Sequence, residues 1–179
     1  MSYDDDDDDE EERYFSPVKI NYLRKSGYVK RFHTLPTTGD NQTVSAHSWG
    51  VATILNEIWP DASKQVILAT LYHDVAEILI GDIPTTAKWL YPEFAEAIEK
   101  VEIRAERYLD IGFALSEHEK LQLKIADMLE LMFYAKEQIH LGNQHFKEVL
   151  ENGKNYLETK FGHTSQFKEA ERMFGLALT

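Results

Sequence analysis

Ionisable side chains interrupt two of the most apolar stretches of this sequence. His73, Asp74 and Glu77 lie within the run from Val66 to Ile80, and Asp127 interrupts a second, later run. A helix that is apolar on every side is expected to be buried, and buried charges are costly unless they are paired or bound to a metal. We therefore expect a compensating cation beside these groups.

Each of these residues also has an ordinary structural explanation when it is taken alone. A buried histidine is more often a hydrogen-bonded core residue than a ligand, and Asp127 could pair with Lys124, one turn earlier. The combination with His47, on a further apolar segment, is harder to explain in this way. The set therefore favours a metal-dependent site.

The elements that must position these residues are helices. Glycine and proline are sparse, at 9 and 5 residues, and long segments show helical rather than alternating periodicity. We predict an all-α, single-domain bundle without a sheet. The predicted helices cover approximately Pro17–Gly27, Thr43–Ile58, Ser63–Leu79, Pro92–Leu109, Leu121–His140, Asn143–Phe161 and Gln166–Leu176.

Capping residues mark the ends of the predicted helices. Asp61 or Ser63 caps the third helix, and Gly81 ends it. Ser116 and Glu119 have the spacing of a capping box, which begins the long helix that contains Asp127.

Composition limits the class of protein. Nine consecutive acids, Asp4 to Glu12, account for most of the formal net charge of −12 and leave −3 for the rest of the chain. Like charges repel and bury nothing, so we predict a disordered acidic tail over residues 1–13 and a folded domain over residues 14–179. The absence of cysteine excludes thiolate metal sites. No apolar run reaches the roughly 18 residues of a membrane span, so we expect no membrane partner. We also expect no stable nucleic-acid binding.

The sequence around the ionisable residues resembles the HD-domain phosphohydrolases. The matching segments are Thr-Val-Ser-Ala-His-Ser-Trp-Gly-Val-Ala around His47, Tyr-His-Asp-Val-Ala-Glu-Ile-Leu-Ile-Gly-Asp-Ile-Pro-Thr from Tyr72, and the later Asp127. Within that superfamily the chain is most similar to bacterial 5'-deoxynucleotidases and to related phage dATP triphosphohydrolases. The resemblance implies an HD-domain helical bundle, a deoxynucleotide substrate, a homo-oligomer and a cytoplasmic location, including the host cytoplasm for a phage protein.

The resemblance implies four metal ligands: His47, His73, Asp74 and Asp127. Two imidazoles and two carboxylates suit Co, Mn, Fe or Zn better than Ca, with Mg left open. We expect one divalent ion, which can polarise phosphorus and lower the pKa of the attacking water.

Two carboxylates are the predicted acid–base groups. Glu77 lies four residues after His73, so we expect it on the same helical face. Asp82 follows in the Gly-Asp-x-Pro loop, and the resemblance implies that both positions are catalytic. Which of them acts as acid and which as base stays open.

The predicted substrate contacts are three cations and one aromatic ring. Arg31 and Phe32 belong to a Lys-Arg-Phe segment that resembles the family's Lys-Arg-Trp, and Lys88 and Lys124 could reach an anionic substrate. Ordinary solvated lysine is an equally good explanation for either lysine alone.

Two positions depart from the family pattern. Ala46 stands where the family usually has Glu before the first histidine, which removes a possible carboxylate partner of the metal ligands. Phe32 replaces the expected Trp, which weakens any inference about sugar or base selectivity.

We predict a metal-dependent phosphohydrolase acting on 2'-deoxynucleotides. Monophosphate and triphosphate substrates are not separable on these residues, although three separate cations lean towards a polyphosphate. The alternatives are a non-catalytic HD-fold binding module and, with less support, an alarmone hydrolase. The module would be expected to lack a ligand or an acid–base residue, and none is missing.

Overall fold

The computed structural model describes residues 17–178, without the side chains at 17, 18, 86, 89, 173, 174 and 176–178. The predicted acidic tail, residues 1–13, lies outside the described residues. The described chain forms nine helices: α1 Pro17–Ser26, α2 Val44–Ile58, α3 Lys64–Tyr72, α4 Glu77–Ile80, α5 Thr85–Leu90, α6 Pro92–Tyr108, α7 Glu117–His140, α8 Phe146–Phe161 and α9 Ser165–Leu178. Within it, β pairing is limited to one isolated antiparallel bridge between Lys30 and Thr43. The prediction of an all-α fold is confirmed.

Helix α7 is the central element of the bundle. It packs most extensively against α2 and α8, and also against α3 and α9. Ile125 and Leu129 of α7 and Leu55 of α2 are buried in the shared core. Because α2 and α7 lie side by side, polar residues on their facing surfaces can meet.

The predicted third helix is interrupted, contrary to the expectation of one helix that reaches Leu79. Helix α3 ends at Tyr72, and α4 begins only at Glu77. Between them, the N–H groups of Val75 and Glu77 bond to carbonyls three residues back rather than four, which tightens the turn. The His73 ring donates from Nδ1 to the Thr70 carbonyl at 2.8 Å and so occupies an acceptor at the end of α3.

The expectation that this segment is buried on every side was also wrong. Val66, Ala69 and Thr70 form the buried face of α3, whereas Leu71 and Leu79 are exposed. The charged residues that follow α3 therefore lie beside the core rather than inside a fully enclosed helix.

Side-chain caps begin α2, α3 and α7. Thr43 caps α2, and Ser63 rather than Asp61 caps α3. The capping box of Ser116 and Glu119 is present, and α7 accordingly begins at Glu117, earlier than predicted. Gly81, with a φ of 77°, ends α4 in the left-handed region that favours glycine.

Two other boundaries differ from the prediction. A short helix, α5, occupies the segment after Pro84 that was predicted as a loop. Helix α8 begins at Phe146 rather than Asn143, because Gly142 (φ 93°) and the turn after it separate α7 from α8. No described helix is long and apolar enough to cross a membrane.

We expect Ser63→Ala to lower the free energy of unfolding by about 1 kcal/mol, the usual effect of losing a side-chain cap. The Ser63 hydroxyl accepts the N–H of Val66 at 3.2 Å and also donates to Glu119 at the start of α7. Urea unfolding followed by circular dichroism measures the change. Asp61→Ala is the matched control and should stay within about 0.5 kcal/mol, because Asp61 is exposed. Equal losses in both variants would contradict the capping assignment.

Candidate metal centre

His47 lies at the centre of a cluster between α2 and α7. It is fully buried, on the face of α2 that packs against α7. Its Nε2 is 3.1 Å from Asp127 Oδ1 on α7. Close packing of the two helices therefore brings together two residues that are 80 positions apart in the sequence.

The tight turn between α3 and α4 supplies two more side chains to this cluster. His73 Nε2 lies 3.3 Å from His47 Nε2 and 3.9 Å from Asp127 Oδ1. Asp74 Oδ2 lies 3.6 Å from His47 Nε2 and 3.4 Å from His73 Nε2. The structure thus brings all four sequence-predicted ligands close to His47. Among the described residues, His47, His73 and Asp127 satisfy the mutual spacing needed to hold a metal ion, and Asp74 lies beside them.

The outer nitrogens of both histidines have acceptors. The Nδ1 of His73 donates to the Thr70 carbonyl, and the Nδ1 of His47 contacts the carboxylate of Glu130 on α7. With Nδ1–H on each ring, both Nε2 atoms carry lone pairs that point at each other and at carboxylate oxygens. Such a set of electron-pair donors is unfavourable unless a cation lies among them. The donor chemistry therefore fits a divalent metal.

The electrostatics of the cluster also favour a positive charge among these side chains. Burial and the charge of Arg31 lower the pKa of His47, but its bonds to Asp127 and Glu130 outweigh them and raise it to about 9. Burial favours the neutral form of Asp74, yet His73 and Arg31 hold its pKa below the usual range. Without a metal, a proton on His47 supplies the positive charge that the carboxylates demand.

Arg31 is the buried cation of the site. Its side chain is 11% exposed, and its Nη1 lies 3.9 Å from Asp74 Oδ2. Neither Nε nor Nη1 has a hydrogen-bond partner among the described residues. A buried guanidinium with unused donors is suited to an anionic ligand.

Phe32 and Asp82 build the wall next to Arg31. Phe32 has a φ of 57°, and its N–H donates to Asp82 Oδ2 at 3.0 Å, which stabilises this left-handed residue. The Phe32 ring stacks on Tyr134 with centroids 5.0 Å apart and meets Phe146 edge-on. Asp82 thus has an anchoring role in addition to the acid–base role predicted for it.

A cavity of about 190 Å³ opens beside these residues. Arg31, Phe32 and Asp82 lie at one side of it, and helix α8 contributes polar side chains that include Asn152. Met128, which follows Asp127, also lines it. The cavity therefore adjoins the metal cluster.

Glu77 is a half-buried acid of the site. Although α3 does not continue to it, Glu77 remains close enough to Asp74 and Asp82 to respond to their charges. Burial, together with those two carboxylates, raises the pKa of Glu77 to about 9. Its Oε2 is buried and has no hydrogen-bond partner among the described residues.

The two predicted substrate lysines are placed differently. Lys88 Nζ bonds to Glu102 on α6 at 2.8 Å, and the structure does not bring Lys88 into the cavity. Lys124 Nζ bonds to Asp127 Oδ2 at 2.8 Å, the ordinary pairing considered from the sequence, and its side chain is 46% exposed. Of the three predicted cations, Arg31 alone lines the cavity among the described residues.

Glu130 was not among the site residues predicted from the sequence. Its signal was present, because it is an acid in the same apolar run as Asp127 and lies three residues after it. Ala46 supplies no carboxylate next to His47, as expected from the sequence, and Glu130 contacts His47 from α7 instead.

The comparisons with known proteins identify the family of this chain. A family model described as 5'-deoxynucleotidase YfbR-like matches residues 20–170. The chain belongs to the YfbR-like 5'-deoxynucleotidase family. It is 31% identical to a dATP triphosphohydrolase of Salmonella phage PMBT28, over 72% of this chain and 76% of the relative. It is 24% identical to a 5'-deoxynucleotidase of Photobacterium profundum, over 78% and 84% of the two chains.

A solved structure shares the fold of this YfbR-like protein. The cyanophage S-2L HD phosphohydrolase, solved with dA and one catalytic Zn²⁺ ion, has a TM-score of 0.71 at 17% identity and covers 92% of this chain and 97% of its own. This likeness identifies the fold as an HD-domain bundle, as predicted.

We expect Asp127→Ala to abolish metal binding, because it removes a ligand at the centre of the cluster.

Glu77→Ala should keep the metal and lower turnover by ~10²-fold or more, the usual scale for an acid–base group. Metal content by plasma mass spectrometry and turnover on a deoxynucleotide separate the two effects. The exposed Asp61→Ala serves as the control for both measurements.

Full metal content in Asp127→Ala would contradict the ligand assignment. Loss of the metal from Glu77→Ala would make Glu77 a ligand rather than an acid–base group.

Proposed function

We propose that this protein is a metal-dependent phosphohydrolase acting on 2'-deoxynucleotides. The observation that carries the proposal is the convergence of His47, His73, Asp74 and Asp127 beside the buried guanidinium of Arg31. The family membership and the names of the relatives support the substrate class.

The four converging side chains would hold one divalent ion. The Zn²⁺ in the cyanophage structure supports a borderline ion, and Mn, Co, Fe or Mg are the other candidates. When bound, the ion supplies a Lewis acid that polarises the phosphate and makes water a better nucleophile. The protein's own contribution is a fixed ligand set, since Thr70 and Glu130 fix the outer nitrogens of the two histidines.

Arg31 would bind and orient the phosphate. Its Nε and Nη1 atoms have no hydrogen-bond partner among the described residues, and Nη1 lies 3.9 Å from Asp74 Oδ2. An anionic oxygen bound to these donors would therefore also lie next to the metal cluster. The deoxynucleoside would extend into the adjoining cavity, where the Phe32 ring, fixed by Asp82 and Tyr134, offers an apolar wall.

Glu77 and Asp82 are the groups that would move protons. Glu77 has a free buried oxygen, which leaves it able to accept or donate. Asp82 has one oxygen occupied by the Phe32 N–H and faces His33 Nδ1 at 3.6 Å. Glu77 is therefore the better candidate for the chemical step, and Asp82 for positioning the substrate wall.

The monophosphate reaction has the stronger support from the geometry. The preference for a polyphosphate predicted from the sequence depended on three cations. Two of them already have carboxylate partners, because Lys88 is bonded to Glu102 and Lys124 is bonded to Asp127. A phosphate bound by the metal and Arg31 needs neither lysine. The named triphosphohydrolase of the Salmonella phage supports the second candidate, hydrolysis of a deoxynucleoside triphosphate.

A homo-oligomer is also part of the proposal. Helix α6 packs chiefly against α5, and Phe94, Val101 and Tyr108 recur on it at intervals of seven residues while remaining exposed. Residues seven positions apart lie in a stripe along one face of a helix. A second copy of the chain, with its own α6, would cover this stripe.

A screen of the four dNMPs and four dNTPs with product identification tests the substrate. We expect orthophosphate from monophosphates, and Arg31→Ala should weaken transition-state binding by roughly 1–3 kcal/mol, the scale of a charge-assisted hydrogen bond. Lys88→Ala is the control and should change kcat/KM by less than about 0.5 kcal/mol on either substrate class. A loss in Lys88→Ala confined to triphosphates, with tripolyphosphate as product, would establish the second candidate instead. Full metal binding without turnover on any nucleotide would favour a binding module.

Val101→Lys should dissociate the oligomer, because it places a charge in the middle of the α6 stripe. Sedimentation velocity measures the mass of the wild type and of the variant. Glu99→Lys changes an exposed position on the same helix off the stripe and should leave the assembly unchanged. A wild-type protein that sediments as a monomer, or dissociation by Glu99→Lys as well, would contradict this interface.

A further inference from the structure

Glu130 contacts the ring nitrogen of His47 that faces away from the metal cluster. Its Oε2 lies against His47 Nδ1, and the two side chains are among the most buried polar groups of the described chain. An ionised carboxylate can only accept a hydrogen bond, so this contact keeps the hydrogen on Nδ1. In the neutral ring, the lone pair then remains on Nε2, the atom that faces Asp74 and Asp127.

The Glu130 carboxylate is itself held in place. Gln42, in the loop before α2, donates from Nε2 to Glu130 Oε1 at 2.7 Å. Both oxygens of the carboxylate are therefore occupied, one by the loop and one by His47. A carboxylate bonded at both oxygens cannot rotate without breaking a buried hydrogen bond.

Gly50 provides the space for this carboxylate. A Cβ at position 50 would lie 2.7 Å from Glu130 Cγ and 3.0 Å from Oε1. Glycine in the interior of a helix costs roughly 0.5–1 kcal/mol relative to alanine. Its presence one turn after His47 is explained by the close approach of Glu130 to the backbone of α2.

Ala46 does not offer an alternative. It is exposed in the first turn of α2, whereas His47 is completely buried. The side chain at position 46 thus points away from the buried His47 ring. The carboxylate that meets this ring comes from α7.

We propose that Glu130 is a positioning residue of the metal centre, which orients His47 and fixes its Nδ1–H tautomer so that Nε2 can bind the metal. Gln42 and Gly50 are the residues that hold Glu130 in place for this role. The inference rests on the proposed metal-dependent function and adds to it a residue that does not itself touch the metal or the substrate.

Zinc titration of the full-length, metal-free protein by calorimetry tests the proposal without any nucleotide. Glu130→Ala should weaken zinc binding by about 10–100-fold, the usual effect of removing the carboxylate partner of a histidine ligand. Glu130→Gln keeps an oxygen that accepts from Nδ1–H and should lose less. Glu137→Ala, an exposed glutamate two turns further along α7, is the matched control and should bind zinc as the wild type does.

The Nδ1–H proton of His47 gives a second readout that a purely structural role would not change. In the zinc-loaded protein it should appear as a slowly exchanging low-field ¹H–¹⁵N signal in the wild type and in Glu130→Gln. It should be lost to exchange in Glu130→Ala. Retention of the signal in Glu130→Ala, or zinc affinity within about twofold of the wild type, would overturn the proposal.

Gly50→Ala provides a second test of the proposal if Glu130→Ala does not fold. It changes no polar group but forces the Glu130 side chain to shift, so a folded Gly50→Ala should bind zinc more weakly than the wild type. Wild-type affinity in that variant would overturn the role of Glu130. A wild-type protein that binds no zinc, manganese or cobalt would instead count against the proposed function.

Discussion

The site depends on one constraint: lone pairs and carboxylates converge in a place from which water is largely excluded. His47 Nε2 lies 3.1–3.6 Å from a second imidazole nitrogen and two carboxylate oxygens. In water each donor would have a hydrogen-bonded solvent shell, and here that shell is replaced by the other donors. Only a positive charge at the centre makes the arrangement favourable. The packing of α2 against α7 brings these groups together at some electrostatic cost, which a bound cation offsets.

The interruption between α3 and α4 is part of the same arrangement. Successive residues of a regular α-helix point about 100° apart, whereas the side chains of His73 and Asp74 meet at the same cluster. The tight turn at residues 73–76 brings His73 Nε2 and Asp74 Oδ2 to 3.4 Å. The Thr70 carbonyl, released at the end of α3, holds the outer nitrogen of His73. The backbone irregularity and two of the predicted ligands thus lie in the same segment.

The sequence predicted what is encoded locally. The ligands were recognisable because ionisable residues within apolar runs are unusual, and the caps at Ser63 and Ser116 because their chemistry lies within one turn. The interrupted third helix was missed because its residues have no helix breaker before Gly81. Pairings between distant elements were missed as well: Lys88 with Glu102, and Glu130 with His47, are decided by how the helices pack rather than by either segment alone.

The balance of charge explains how a protein of net charge −12 can bind an anionic substrate. Asp74, Asp127 and Glu130 face two fixed cations, Arg31 and Lys124, so the cluster alone has an excess of negative charge. That excess attracts a divalent cation. A bound divalent cation would offset this excess next to the unused donors of Arg31, and it would therefore favour an anionic ligand there. The charge on the rest of the surface is screened within roughly 8 Å at physiological salt. The local sign of the site, rather than the net charge of the chain, determines what it can bind.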